Sequence, residues 1–181
     1  MKIFVLNVRG LESFRAFQIL HQHLQEHLPD IIFLSETISS QIQMEKLRVK
    51  FGFVGKLVVE KEGRSGGLGL FWSNKVYVSL LSFSRFHIDV RVQSHFGKNW
   101  RFIGFYGHPD ASQRMHSWTL MRRLHSMYQL PWLIAGDFNE IIYSFEKIGG
   151  LIRFARLMSD FRDVLDDCAL EDLGFRGNQF T

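Results

Sequence analysis

Ten residues, Pro131-Trp132-Leu133-Ile134-Ala135-Gly136-Asp137-Phe138-Asn139-Glu140, constrain the fold more than any other stretch of this chain. Trp132 to Ala135 is an unbroken apolar run of strand length, the pattern of a short strand buried in a sheet. Gly136 then lets the backbone turn or approach another chain segment closely. Asp137 and Asn139 stand two positions apart, so continued extended geometry would put both on one face and send Phe138 back into the core. A buried strand ending in polar groups is where open α/β sheets place their ligands. Asp and Asn are also common turn residues, and taken alone the pair is more often an Asx-rich turn.

The rest of the chain supplies a sheet for this strand to join. Residues 3–6 read as an opening strand, closed by Asn7-Val8-Arg9-Gly10. Phe14, Phe17, Leu20, Leu24 and Leu28 recur at helical spacing and predict a helix over 13–28, stopped by Pro29-Asp30. Ile31-Ile32-Phe33-Leu34 is a continuous apolar strand ending in Ser35-Glu36-Thr37, and a helix over 40–50 follows with Gly52 as its cap. Short β-rich segments then cover 53–60, 68–73, 76–83, 87–93 and 100–106, with the loop 61–67 the clearest turn among them. A helix over 113–128 directs Met115, Trp118, Met121 and Leu124 inward and Arg122-Arg123 outward. After the 131–140 stretch come a loop with Gly149-Gly150, a helix over 156–168 and a terminal loop and strand over 170–181. The order βαβα, β-meander, αβα predicts a layered α/β sandwich of mixed sheets.

Composition narrows the class. A chain of 181 residues fits one domain, residues 1–181, and can bury a real core. With 46% apolar and 22% charged residues it is globular rather than disordered. The formal charge of +4 is mildly basic, compatible with a polyanionic partner. The single cysteine, Cys168, excludes an intrachain disulfide and favours a reducing, intracellular setting. The apolar run at residues 1–6 is shorter than a signal peptide requires, and no run reaches the length of a membrane span.

Four apolar strands each terminate in a group suited to a hard cation or a phosphate. The first ends at Asn7, the second at Glu36, another at Tyr106-Gly107-His108-Pro109, and the 132–135 strand at Asp137 and Asn139. Mg²⁺ takes oxygen ligands, typically one or two carboxylates with water and substrate phosphate. One such strand end means little, but four in a chain of this size suggest convergence on one mouth.

The set Asn7-Val8-Arg9-Gly10, Pro29 to Thr37, Gly66-Gly67-Leu68-Gly69-Leu70, Phe105-Tyr106-Gly107-His108-Pro109 and Gly136-Asp137-Phe138-Asn139-Glu140 resembles the endonuclease/exonuclease/phosphatase superfamily. Within it the sequence is most similar to the endonuclease domain of plant LINE-type (non-LTR) retrotransposons, where Glu146-Lys147, Gly149-Gly150 and Asp172-Leu173-Gly174-Phe175 also have counterparts. The resemblance runs through essentially the whole chain in the family's order. It implies a four-layer α/β/β/α sandwich and Mg²⁺-dependent phosphodiester hydrolysis in DNA, with Mn²⁺ as an alternative ion. By position it makes Glu36 a metal ligand supported by Asn7, and sets Tyr106 against the phosphate. Asp137 would orient or deprotonate the attacking water, Asn139 would hold the phosphate or that water, and Thr181 would lie near the DNA backbone. A nuclear location is implied by the same likeness.

Two departures qualify that expectation. Leu6 stands where the family usually has Trp before the Asn, a change in packing rather than chemistry. The superfamily also ends in a Ser/Gly-Asp-His motif whose His acts on the phosphate, whereas this sequence stops at Thr181 and none of its eight histidines follows an Asp. The expectation is a C-terminally shortened relative, weak or inactive as a nuclease, with an uncovered sheet edge open to self-association. The competing reading is a non-catalytic remnant that binds nucleic acid or protein, with salt-sensitive DNA binding and no cleavage.

Other motifs point elsewhere with less force. His23-Leu24-Gln25-Glu26-His27 matches the His-x-x-Glu-His pattern of inverted zinc peptidases, but falls on the polar side of an amphipathic helix. The glycine-rich loop 63–69 lacks the Gly-Lys-Ser/Thr of a P-loop. Cys168 has no recognisable His partner and reads as structural. Arg122, Arg123, Arg153 and Arg156 fit phosphate contacts and a solvated helix face about equally well.

Overall fold

The computed structural model describes the chain apart from residues 12, 13, 62, 64, 65, 95, 96, 151, 175 and 177–181. It divides into two compact units, residues 1–106 with 130–137, and residues 107–129 with 138–181. The architecture is an α/β sandwich on two mixed sheets, both in the first unit.

The first sheet holds β1 (Ile3–Asn7), β2 (Ile31–Ser35), β3 (Gly55–Val59) and β4 (Leu68–Trp72) in the order β1-β2-β4-β3. β1 and β2 are parallel, with Asn7 opposite Ser35, and the other pairs are antiparallel. The crossover from β1 to β2 is α1 (Phe14–His27), the kind of connection that parallel strands need. β2 is buried on both faces, which is why its sequence is continuously apolar rather than alternating. Ile31 and Phe33 point into the core between the sheets. Ile32 and Leu34 point the other way, against Leu20 and Leu24 of α1 and Met44 and Leu47 of α2 (Gln41–Lys50). Burying a side chain such as Phe33 contributes roughly 1.5–3 kcal/mol.

α2 begins with a capping box: Gln43 N–H donates to Ser40 Oγ while Ser40 N–H donates to the Gln43 side chain. It ends where Gly52, at φ +71, takes the left-handed position after the last turn, the cap expected from the sequence.

The second sheet is β5 (Val76–Ser84), β6 (His87–Ser94), β7 (Asn99–Tyr106) and β8 (Trp132–Asp137), in that order, with only the β7/β8 pair parallel. Ile88, Val90, Val92 and Phe102 face the first sheet. The opposite face of β6 and β7 buries three polar residues, His87, Asp89 and Arg101, beside Ile103 and Phe105. There Arg101 donates from Nε and Nη2 to the Asp89 carboxylate at 3.1 and 2.7 Å. His87 sits between Ser82 Oγ, 3.0 Å from Nε2, and Ser84 Oγ, 2.8 Å from Nδ1.

β8 corrects an expectation. It lies at the edge of its sheet and is half-buried along its whole length, not enclosed.

In the second unit α3 (Arg114–Met127) and α4 (Ala155–Asp167) pack together through Trp118 and Phe161, whose rings stack at 4.7 Å. The buried stripe of α3 is Arg114, Ser117, Trp118, Met121 and Leu124. Met115, expected inward, is exposed because it lies about 100° around the helix from Arg114. Leu28, expected to continue the stripe of α1, falls beyond its end and is also exposed. The expected terminal strand falls mostly outside the described residues, and 170–174 carry no regular structure. No described helix is long and apolar enough to cross a membrane.

Candidate active site

Four of the strand ends singled out in the sequence meet within the first unit. Parallel pairing of β7 with β8 sets Tyr106 beside Asp137, and pairing of β1 with β2 sets Asn7 beside Ser35, one residue before Glu36. The carboxamide of Asn7 joins them. Asn7 Nδ2 donates to Glu36 Oε1 at 2.9 Å and to Asp137 Oδ2 at 2.8 Å. Tyr106, a buried residue, donates its hydroxyl proton to the same Glu36 Oε1 at 2.7 Å. Both hydrogen bonds of Glu36 thus fall on one oxygen, and Oε2 accepts none among the described residues.

Backbone geometry fixes Glu36 in place. Beyond β2 the chain takes left-handed conformations at Glu36 (φ +52) and at the β-branched Ile38 (φ +50). Each costs about 1–2 kcal/mol and persists only where its surroundings impose it. The surroundings here are backbone hydrogen bonds on both flanks. Gly10 N–H donates to Glu36 O at 2.7 Å and Leu11 N–H to Thr37 O at 3.1 Å on one side. On the other, Thr37 N–H donates to Gly67 O at 3.1 Å and Ile38 N–H to Gly66 O at 3.2 Å. Gly67, at φ +89, is required by this clamp, since a Cβ there would lie 2.5 Å from Thr37 Oγ1. Asn7 is held by its own turn, where Oδ1 accepts from Arg9 N–H at 3.2 Å. Gly136 makes the close approach its sequence position suggested, since a Cβ there would overlap the Phe105 carbonyl oxygen on β7.

The donor set suits a hard divalent cation. It offers carboxylate and carboxamide oxygens, with one Glu36 oxygen that accepts no hydrogen bond among the described residues. Glu36, supported by Asn7, is the group that would hold the ion, with the Asp137 carboxylate beside them. Two carboxylates sharing a donor repel one another, and a dication relieves that repulsion.

Asn139 follows the end of β8. It belongs to the second unit, at φ +56, so the extended alternation expected to align it with Asp137 stops at the end of β8. Its Nδ2 donates to Gly107 O at 2.8 Å. Thr181 lies outside the described residues.

Glu140 was not foreseen. Its side chain is fully buried, accepting from Arg114 Nη1 at 2.7 Å and pairing with Arg153 Nε at 3.0 Å. Arg153 is therefore committed to a carboxylate, as is Arg122, which donates to Asp167 at 2.7 Å. An acidic residue directly after the Asp-x-Asn motif was the available signal. Cys168 is fully buried at the end of α4, and burial pushes its thiol above the usual range, as a structural cysteine requires. His23, Glu26 and His27 do come together, their ligand atoms within 4.8 Å of one another.

Two mixed sheets whose strand ends gather acidic and amide groups at one mouth define a class of α/β sandwich proteins. The chain belongs to the endonuclease/exonuclease/phosphatase family, whose sequence model matches residues 5–179. Three solved structures resemble it. An AP endonuclease from Archaeoglobus fulgidus superposes with a TM-score of 0.72 at 16% identity, over 92% of this chain and 70% of that one. The endonuclease domain of TRAS1, a telomere-specific non-LTR retrotransposon, gives 0.69 at 14% identity, over 97% and 75%. The 3′ phosphatase NExo from Neisseria, bound to a product DNA hairpin, gives 0.62 at 16% identity, over 92% and 71%. At these identities the likeness establishes the fold. No curated protein matches the chain in sequence.

Proposed function

We propose that the chain hydrolyses phosphodiester bonds in DNA with Mg²⁺, or Mn²⁺ in its place. The observation that carries this reading is the Asn7 carboxamide held between Glu36 and Asp137, with Tyr106 on the same Glu36 oxygen. A divalent ion, when bound, offsets charge on the phosphoryl oxygens. Asp137 orients a water and takes its proton as the water oxygen bonds to phosphorus. The P–O bond to the leaving group then breaks, and the leaving oxygen takes a proton from solvent. Tyr106 turns its hydroxyl from Glu36 to a phosphoryl oxygen, a charge-assisted bond that strengthens as negative charge develops. Asn139 keeps the phosphate- or water-holding role on the strength of the sequence resemblance alone.

DNA is favoured over other phosphodiesters by the retrotransposon-like motifs, by the charge of +4, and by structural relatives that are AP endonucleases or bind a DNA product. Turnover by these 181 residues is slow, because the sequence has no Asp-His pair to supply a general acid. Such a group is worth about two to four orders of magnitude in rate. Self-association would use the edge strand β5, where Tyr77, Leu80 and Phe83 are exposed, although the bulge between Leu80 and Ser82 works against flat pairing.

Nicking of supercoiled plasmid tests the proposal. Slow nicking is expected with Mg²⁺, abolished by EDTA and by Glu36→Ala. Salt-sensitive DNA binding with no Mg²⁺-dependent cleavage would replace it with the non-catalytic binding module.

A further inference from the structure

The second cluster of metal-ligating side chains belongs to α1 and takes no part in the strand-end site. His23, Glu26 and His27 occupy positions i, i+3 and i+4, one face of the last turn, with their ligand atoms within 4.8 Å of one another. We propose that these three residues bind a transition-metal dication of the zinc class.

Three observations support the assignment. First, neither imidazole is spent on an internal partner. No ring nitrogen of His23 or His27 is hydrogen-bonded among the described residues, and Nδ1 of His23 is also shielded from water. Second, the rings are already arranged. They stack at 6.1 Å and 10°, and Phe4 of β1 packs against both, at 5.9 and 6.3 Å. The rotamer entropy lost on binding is correspondingly small. Third, the cluster sits in the last turn of the helix, where the helix dipole favours a cation.

Zn–N bonds of about 2.0–2.1 Å put two donors about 3.4 Å apart, so ligand atoms within 4.8 Å of one another need only small shifts, with the rings kept stacked. Gln22 donates to Glu26 Oε1 at 2.8 Å, which leaves Oε2 for the metal. Lys2 Nζ, on the His27 carbonyl at 3.0 Å, opposes a dication, but it is exposed and screened by salt.

The site is not a peptidase centre. The cavity lined by His21, Leu24, Gln25 and Leu28 lies on the opposite helix face from the three ligands. The two imidazoles that would hold the metal already rest against Phe4 of β1.

Calorimetric titration of the full chain with Zn²⁺ at about pH 7.5 tests this. Excess Mg²⁺ is included to occupy oxygen-only sites without competing for imidazole. One saturable zinc event is expected, weakened about tenfold or more in His27→Ala, whose exposed position leaves the fold intact by circular dichroism. Glu36→Gln should leave it unchanged. Zinc should also raise the melting temperature of the parent chain and not that of His27→Ala. Equal zinc affinity in His27→Ala and the parent, or a zinc event lost in Glu36→Gln, would overturn the proposal.

Discussion

Asn7 Nδ2 lies 2.8 Å from Asp137 Oδ2, a contact between residues 130 positions apart. The second hydrogen of the same nitrogen goes to Glu36 Oε1. One carboxamide therefore supplies both donors that let two carboxylates share the mouth of the sandwich.

Asn7→Asp isolates this bridge, because an aspartate retains the acceptor for Arg9 N–H and loses both donors. It also adds a third negative charge. We expect a loss of about 1–3 kcal/mol in EDTA, from the two lost hydrogen bonds and the added repulsion among carboxylates. Mg²⁺ should recover more of the melting temperature in Asn7→Asp than it adds to the parent chain. Melting curves of Asn7→Asp, Asn7→Ala and the parent, with and without Mg²⁺, measure both effects. Identical curves in EDTA would mean that Asn7 does not bridge the carboxylates.

Gly136→Ala should be among the most damaging small substitutions. The added methyl overlaps the Phe105 carbonyl oxygen, which is backbone on the neighbouring strand and cannot rotate away. Relief requires β8 to shift against β7, which moves Asp137 relative to Tyr106. Loss on the order of 3 kcal/mol or more is expected by urea unfolding. A variant of parental stability would mean that β8 is free to move, and the alignment at its end would lose its rationale.

Much of this could be read from the sequence, for reasons that differ by element. β2 was legible because burial on both faces leaves a continuous apolar run, and α1 because its stripe is spaced every three or four residues. Asn7, Glu36, Tyr106 and Asp137 were legible as polar groups ending apolar strands, although their mutual hydrogen bonds depend on strand pairing that no local pattern encodes. On α3 the inward residues Trp118, Met121 and Leu124 were legible and only Met115 was not, because a charged side chain, Arg114, takes the first buried position and its partner Glu140 lies 26 residues on. β8 looked enclosed because its composition is that of a central strand, while the topology leaves it at an edge. Asn139 was aligned with Asp137 by assuming extended backbone where the chain turns left-handed.

The pair formed by Glu140 with Arg114 gives a sharper test of the second unit. The Glu140 side chain is 0% exposed and that of Arg114 is 5% exposed. Glu140→Gln keeps the volume, removes the charge, and leaves the Arg114 guanidinium buried without a counter-ion. Breaking a buried pair in this way costs about 3–5 kcal/mol. Arg114→Met in the same chain should recover a large part of that loss. A double-mutant cycle by chemical denaturation resolves the two, and additive losses would show that the residues do not act as a pair.

Acid stability should carry the signature of Glu45. Its hydrogen bond from Arg48 is the main influence on the carboxyl, burial opposes it, and Lys56 adds to it, with the result that the carboxyl is lowered from 4.5 to about 2. A carboxyl depressed in the folded state binds its proton more readily in the unfolded chain. Its contribution to stability is therefore complete above about pH 4.5 and is lost as the pH falls toward 2. Asp30 behaves in the same sense: burial alone would raise its carboxyl, but the Lys2 amide and the Lys75 ammonium hold it below the usual range. Glu45→Gln should flatten the fall in urea midpoint between about pH 4.5 and 2 and leave the Asp30 share of that fall in place. Because the Glu45 pair is solvent-exposed, the difference between parent and variant should shrink at about 1 M salt, where screening acts over roughly 3 Å. Parallel pH profiles for the two chains at low salt would show that Arg48 does not hold the carboxylate in solution.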